Sequence, residues 1–346
     1  MLRIEMNSNN LVLGKTRVGK SYSAAIPIIR QMNASYVVTD PLGTIFREVG
    51  EDLINNRYDV RVLDLCDMKN SWCYNPFLYI RDIRSADTIV ESIIRNTPSA
   101  TPKFIMAERM LLAACVYYVR GFLKKKIDGN LNAVADMLYA GMLDLITPYN
   151  DYEYDEYMPH LSAIFSDNLE NPEAVSAYDF FIREAKGEWE AVIKSCVKRL
   201  RALTNPRLRA VSQFDSMELH ELGDHEMAIF IITPQSPFGA SFLPAMLYAQ
   251  VFETLAYWGK EREKIGEPPR SRVPVHCIMD EFTNFHVPRF ARILNSINRY
   301  NVSITATAQN FFQIRKTYSD WAESILMAFD HIFCIGELDP DVQALM

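Results

Sequence analysis

The stretch Gly14-Lys15-Thr16-Arg17-Val18-Gly19-Lys20-Ser21 constrains this chain more than any other. It matches G-x-x-x-x-G-K-[ST], a loop whose backbone N–H groups wrap around phosphates. Chance produces such a match in about one chain of this length in a hundred, so the flanks decide. Leu11-Val12-Leu13 before it reads as a buried strand, and Ser21-Tyr22-Ser23-Ala24-Ala25-Ile26 after it as the first turns of a helix. Strand, loop and helix in that order aim successive N–H groups and the positive helix end at one anion. All eight residues are therefore candidates for nucleotide binding. Lys20 is expected to reach the β- and γ-phosphates, and Ser21 to offer its hydroxyl to Mg²⁺. The plainer alternative is a glycine-containing strand-to-helix turn with an incidental lysine.

The rest of the chain alternates in a way that suits such a loop. Strands are expected at Tyr36–Thr39 and Val60–Asp64, separated by helical stretches, which implies a parallel sheet with crossover helices. From Ile83 to Leu219 strand character nearly vanishes, and apolar residues recur at helical spacing in 104–119, 131–145 and 174–203. Alternation then resumes, with strands at Ala228–Thr233, Val275–Met279, Val302–Ala306 and His331–Ile335. The reading is an α/β fold with a mostly parallel central sheet, formed by residues 1–82 and 220–346 and interrupted by an inserted all-α domain at 83–219.

The strand 275–279 runs into Asp280-Glu281. An apolar strand ending in two acids suits a metal-dependent phosphate site. Asp280 would help hold Mg²⁺, and Glu281 would accept a proton from attacking water. A strand-end cap is the alternative. Thr305-Ala306-Thr307-Ala308-Gln309 ends one strand later, and strand tips on one edge of a parallel sheet converge. Gln309 is thus expected either to contact the γ-phosphate or to face solvent. No guanine-reading N-K-x-D stands where a GTPase would place it, so ATP is the expected nucleotide.

Bulk properties narrow the setting. With 49% hydrophobic and 23% charged residues the chain is globular. Its net charge of −7 leaves any DNA contact to a local basic surface. The six cysteines form no C-x-x-C pair, which predicts a reducing, cytoplasmic setting. No run reaches the ~18–20 apolar residues of a spanning helix. The basic residues Lys194, Lys198, Arg199, Arg201, Arg207 and Arg209 either neutralise nucleic-acid phosphates or form a solvated helix face. The segment from Asp151 to Tyr157 mixes tyrosines with acids and reads as a surface loop or a protein contact. His220 and His225 have no ligand-spaced partners, so no zinc site is expected.

Taken together, Asn9-Asn10-Leu11-Val12-Leu13-Gly14, Ser35 to Pro41, Tyr74-Asn75-Pro76-Phe77, Ile229 to Ile232, Met279-Asp280-Glu281-Phe282, Asn298 to Ser303, Gln309 and Tyr318 resemble the type IV secretion coupling ATPases, the TraG/TraD-like conjugative DNA-transfer proteins. The resemblance implies a RecA/FtsK-like P-loop motor with an inserted all-α domain, assembled as a hexameric ring. It implies work on single- or double-stranded DNA, receipt of a relaxase or other secreted cargo, and contact with type IV secretion channel components. It also implies a place at the cytoplasmic face of the membrane, reached through an anchor either missing from this chain or supplied by a separate subunit. In such rings a neighbouring subunit lends a cation to the nucleotide, and Arg299 is the candidate. Where the family usually has Lys and Glu in a D-P-K-G-E stretch, this chain has Leu42 and Thr44. Two other functions fit the same features: a nucleotide-assembled cargo-recruitment platform with weak hydrolysis, and a HerA/FtsK-like DNA translocase.

Overall fold

The computed structural model of the chain describes residues 7–15, 19–124, 129–146, 159–166, 171–235 and 239–336. Thr16, Arg17 and Val18 of the loop, and the segment from Asp151 to Tyr157, lie outside the described residues. The described chain forms two compact units. The first comprises Met1–Trp72, Ser216–Phe238 and Leu247–Met346, and the second Cys73–Asp215 and Gly239–Met246.

The first unit opens with β1 (Asn10–Gly14), a π turn at Ser21–Ala25 and the short α1 (Ile26–Ile29). β2 (Ser35–Pro41), α2 (Thr44–Asn55) and β3 (Asp59–Asp64) follow. The single-turn π geometry where a helix was expected is typical of functional sites. The unit resumes with β4 (Met227–Thr233), β5 (Val275–Met279), β6 (Val302–Ala308) and β7 (His331–Ile335).

These seven strands form one sheet in the order β3-β4-β2-β5-β6-β1-β7, and every pairing is parallel. β1, β4, β5 and β6 are buried along their whole length, whereas the edge strand β7 is not. Burial on both faces is why β4 reads as a nearly continuous apolar run rather than an alternating one.

Buried polar side chains tie the sheet to its surroundings. Asn9 donates through Nδ2 to the Leu294 carbonyl at 2.9 Å and accepts from the Ile304 N–H at 3.1 Å, while its own N–H reaches Asp330. It thereby pins the start of β1 beside β6 and β7. The Tyr248 hydroxyl accepts from Thr39 at 2.9 Å and lies 3.1 Å from the Ile278 carbonyl, anchoring its helix across β2 and β5. Arg61 gathers Asp59, Glu218 and Glu221. His225, which has no ligand-spaced partner in sequence, lies 3.7 Å from Asp59 in the same cluster.

The second unit carries α3 (Ile83–Asn96), α4 (Ile105–Lys124), α5 (Leu131–Ile146), α6 (Pro159–Ser166), α7 (Pro172–Ala185), α8 (Trp189–Arg199) and α9 (Pro206–Val211). Residues 174–203, a single run of helical spacing in sequence, are broken at Lys186 and Gly187, which both take positive φ. α4 buries Leu111, Leu112, Cys115, Val116 and Val119, a helical stripe that packs chiefly on α7.

At the centre of this unit Arg199 is fully buried and grips Glu108 with Nε at 2.9 Å and Nη2 at 2.5 Å. Arg199 therefore belongs neither to a DNA surface nor to a solvated helix face. Lys194 pairs with Glu190, and Arg209 with Asp136. Burial alone would raise the Glu108 carboxyl, but hydrogen bonds from Ser195, Ser99, Thr101 and Arg199 hold it below the usual range. The Tyr74-Asn75-Pro76-Phe77 stretch is architectural in the same unit. Asn75 caps the turn by accepting from the Phe77 N–H at 3.1 Å and donates to the Gly129 carbonyl at 2.9 Å.

α10 (Phe242–Lys264) starts in the second unit and enters the first at Leu247. α11 (Phe290–Leu294), α12 (Phe311–Tyr318) and α13 (Ala322–Met327) complete the first unit. Among the described residues no helix is long and apolar enough to cross a membrane.

Candidate nucleotide site

Parallel strands end on one edge, so β1, β5 and β6 bring their C-terminal tips together. Gly14 ends β1, and the loop turns into its helix at Gly19, whose φ of +82° is readily adopted only by glycine. The Ser23 N–H donates to the Gly19 carbonyl at 2.8 Å and starts the helical ladder. Lys15, at the end of the strand, is exposed.

Lys20 is buried, and its Nζ donates to the Gly14 carbonyl at 2.7 Å and to the Lys15 carbonyl at 3.4 Å. The same Nζ lies 3.0 Å from Glu281 Oε1. Ser21 donates its hydroxyl to Asp280 Oδ2 at 2.6 Å, across 259 residues of sequence. The loop and the acidic strand tip thus share one rim.

Consecutive residues of an extended strand point to opposite faces. Asp280 and Glu281 nevertheless both approach the loop, because Glu281 takes φ +51°, ψ +48°. That left-handed turn breaks the alternation at a cost of roughly 1–2 kcal/mol for a residue with a side chain. Strain of this kind concentrates at functional sites. Thr307 compensates by accepting the Glu281 N–H at 3.0 Å while donating to Asp280 Oδ1 at 2.6 Å. Gln309 Nε2 lies at 3.5 Å from Glu281 Oε2, and its N–H donates to Gln313 Oε1 at 3.3 Å.

Two residues at this rim escaped the sequence reading. Thr307 was legible only as one of three hydroxyl residues, with Ser303 and Thr305, on a strand read as buried, where a polar group must have a partner. Asp40, at the tip of β2, is fully buried and caps α2 by accepting from the Ile45 N–H at 3.0 Å and the Phe46 N–H at 2.7 Å. Burial lifts its carboxyl above the ordinary range. The bonds from Ile45, Phe46 and Thr44 oppose that rise, and the nearby Asp280 charge adds to it.

The departures at 42 and 44 now have a physical description. Leu42 and Gly43 take φ of +65° and +70° in the tight turn, Leu42 is half exposed, and Thr44 donates to Asp40 Oδ1 at 3.3 Å.

Arg299 is not part of this rim. It lies just before β6, at the end opposite Gln309, exposed, paired with Glu263 and stacked over Tyr300. Seven residues of strand separate the two ends, about 20 Å. Within its own chain Arg299 does not reach Lys20 or Glu281.

Comparison with known proteins gives the family and the fold. The model of the family described as "Type IV secretory system Conjugative DNA transfer" matches residues 5–341. No curated protein matches significantly. Among solved structures, the bacterial conjugative coupling protein TrwBdeltaN70 in complex with sulphate is similar at 16% identity with a TM-score of 0.58, over 98% of this chain and 72% of that one. Plasmid coupling protein TrwB in complex with ADP and Mg²⁺ gives 15% and 0.60, over 94% and 69%. The complex of TrwB with the ATP analogue ADPNP gives 14% and 0.56, over 94% and 70%. These neighbours bear out the RecA/FtsK-like P-loop fold. On the match over nearly its whole length, the chain belongs to the type IV secretory system conjugative DNA transfer family.

Proposed function

We propose that this chain is an ATP-hydrolysing coupling subunit for conjugative DNA transfer. The observation that carries the proposal is the meeting of Lys20, Ser21, Asp280 and Glu281 on one sheet edge. The structures of TrwB with ADP and Mg²⁺ and with an ATP analogue support ATP and Mg²⁺ as the ligands.

The donor chemistry fits both. Ser21 Oγ and Asp280 Oδ2 are hard oxygens side by side, and Mg²⁺ takes one or two such protein ligands and completes its shell with phosphate and water. Charge building on the β- and γ-phosphates would be neutralised by Mg²⁺ held there. Phosphate oxygens compete with Glu281 for the Lys20 ammonium, so nucleotide binding breaks the Lys20–Glu281 pair. Glu281 is then free to accept the proton of attacking water. Gln309, beside Glu281, orients that water or contacts the γ-phosphate. Arg299 acts, on this reading, only on the nucleotide of a neighbouring subunit.

The finer assignments extend the family membership. The helical residues 83–219 form an inserted domain between two parts of the nucleotide-binding domain, 1–82 and 220–346. The chain works as a ring, a hexamer by family analogy, at the cytoplasmic membrane face. There it links a relaxase–DNA substrate to the secretion channel. The test is DNA-stimulated ATP hydrolysis by the intact protein with its partners. Turnover that survives Lys20→Ala unchanged would overturn the proposal.

A further inference from the structure

β6 lies between β1 and β5, so the loop strand and the acid strand stand about 9–10 Å apart with one strand filling the gap. At the tip of that strand, Thr307 is paired in register with Val12 of β1. On the other side Ile278 pairs with Thr305, which sets Thr307 level with Asp280. Thr307 is fully buried. A hydroxyl has one proton, and here its direction is determined. The Glu281 N–H can only donate to Thr307 and the Asp280 carboxylate accepts, so Thr307 gives its proton to Asp280 Oδ1. Asp280 Oδ1 is occupied, and Oδ2 is the oxygen presented to Ser21.

From this we infer that Thr307 is a positioning residue for the metal. It orients the Asp280 carboxylate so that Oδ2 points at the Ser21 hydroxyl, and it holds Glu281 in its left-handed turn so that both acids share one face. The inference rests on the reading of this rim as a Mg²⁺–nucleotide centre. Threonine suits the task because its hydroxyl bridges both acids while its methyl stays in the apolar strand environment. Support behind metal ligands of this kind alters metal affinity by about 10–100-fold when removed.

The experiment is a MgCl₂ titration of mant-ATP binding to the full chain, followed by fluorescence, with thermal melting to check folding. Thr307→Val is expected to raise the half-saturating Mg²⁺ concentration about tenfold. Thr307→Ser, which keeps the hydroxyl, is expected to restore the wild-type Mg²⁺ requirement. If Thr307→Val does not fold, Thr307→Ala removes the same hydroxyl with less bulk and carries the same expectation. A Mg²⁺ requirement unchanged in the hydroxyl-free variant, with the wild type binding normally, overturns this inference alone. Failure of the wild type to bind mant-ATP, or binding undiminished by Lys20→Ala, overturns the reading of the site and this inference with it.

Discussion

Lys20 Nζ sits 3.0 Å from Glu281 Oε1 and 2.7 Å from the Gly14 carbonyl oxygen. One ammonium thus joins the phosphate loop to the general-base candidate. The pair is nearly shielded from water, with Lys20 and Glu281 side chains 5% and 17% exposed. A bound triphosphate is the stronger partner for Lys20. Lys20→Ala is expected to lower ATP turnover by more than about a hundredfold, in the range seen when one charge-stabilising donor is removed. Phosphate release from the full chain with DNA present checks it.

Glu281→Gln separates binding from chemistry. The amide keeps the size and can still hydrogen-bond, but it cannot take a proton. Turnover is expected to fall by about 10²–10⁴-fold. Mant-ATP affinity should stay the same or tighten, because the carboxylate no longer competes for Lys20. Parallel loss of binding and turnover would argue that Glu281 supports the loop instead of the water.

His276 makes the stability of the first unit pH-dependent. It is buried between Ser303 and Thr305, each 2.8 Å from a ring nitrogen, and burial lowers its pKa from 6.5 to about 4. The folded state keeps the ring neutral where the unfolded chain would protonate it. Its contribution is therefore fully present above about pH 6.5 and is lost as pH falls towards 4. The shift corresponds to on the order of 3 kcal/mol. Urea midpoints measured between pH 7 and pH 4 should drop less steeply for His276→Asn than for wild type.

In the second unit Glu108→Ala leaves the Arg199 guanidinium buried without a counter-charge. The expected loss is about 3–5 kcal/mol, read from the urea midpoint. The lowered pKa of Glu108 has its own consequence. This contribution is present above the unfolded carboxylate range and disappears as pH falls through the folded value.

Asp40→Ala removes the side chain that caps α2 through two N–H groups and the Thr44 hydroxyl. A loss of about 1–2 kcal/mol is expected. Thermal melting of the nucleotide-free chain measures it. Mg²⁺-dependent mant-ATP binding should change less than in Thr307→Val, because Asp40 acts on the helix start.

The amino-acid sequence by itself determined the loop, the acidic strand tip, the alternating elements and the all-helical stretch. These are local patterns, written by periodicity and by turn residues within a few positions of one another. It also carried the family marks, of which Asn9, Asn75 and Tyr318 prove architectural, Tyr318 by packing on Phe282 and Phe290. Only the tertiary structure decided the strand order that inserts β6 between the loop and the acids. It alone gave Thr307 its two partners, turned Glu281 into the left-handed region, buried Arg199 against Glu108, and set Arg299 at the far end of β6. Each of these depends on which distant segments pack together. Local hydrophobic spacing reports that a residue is buried, but burial does not say against what. A polar side chain takes its role from the neighbour it meets, and that neighbour is chosen by the sheet.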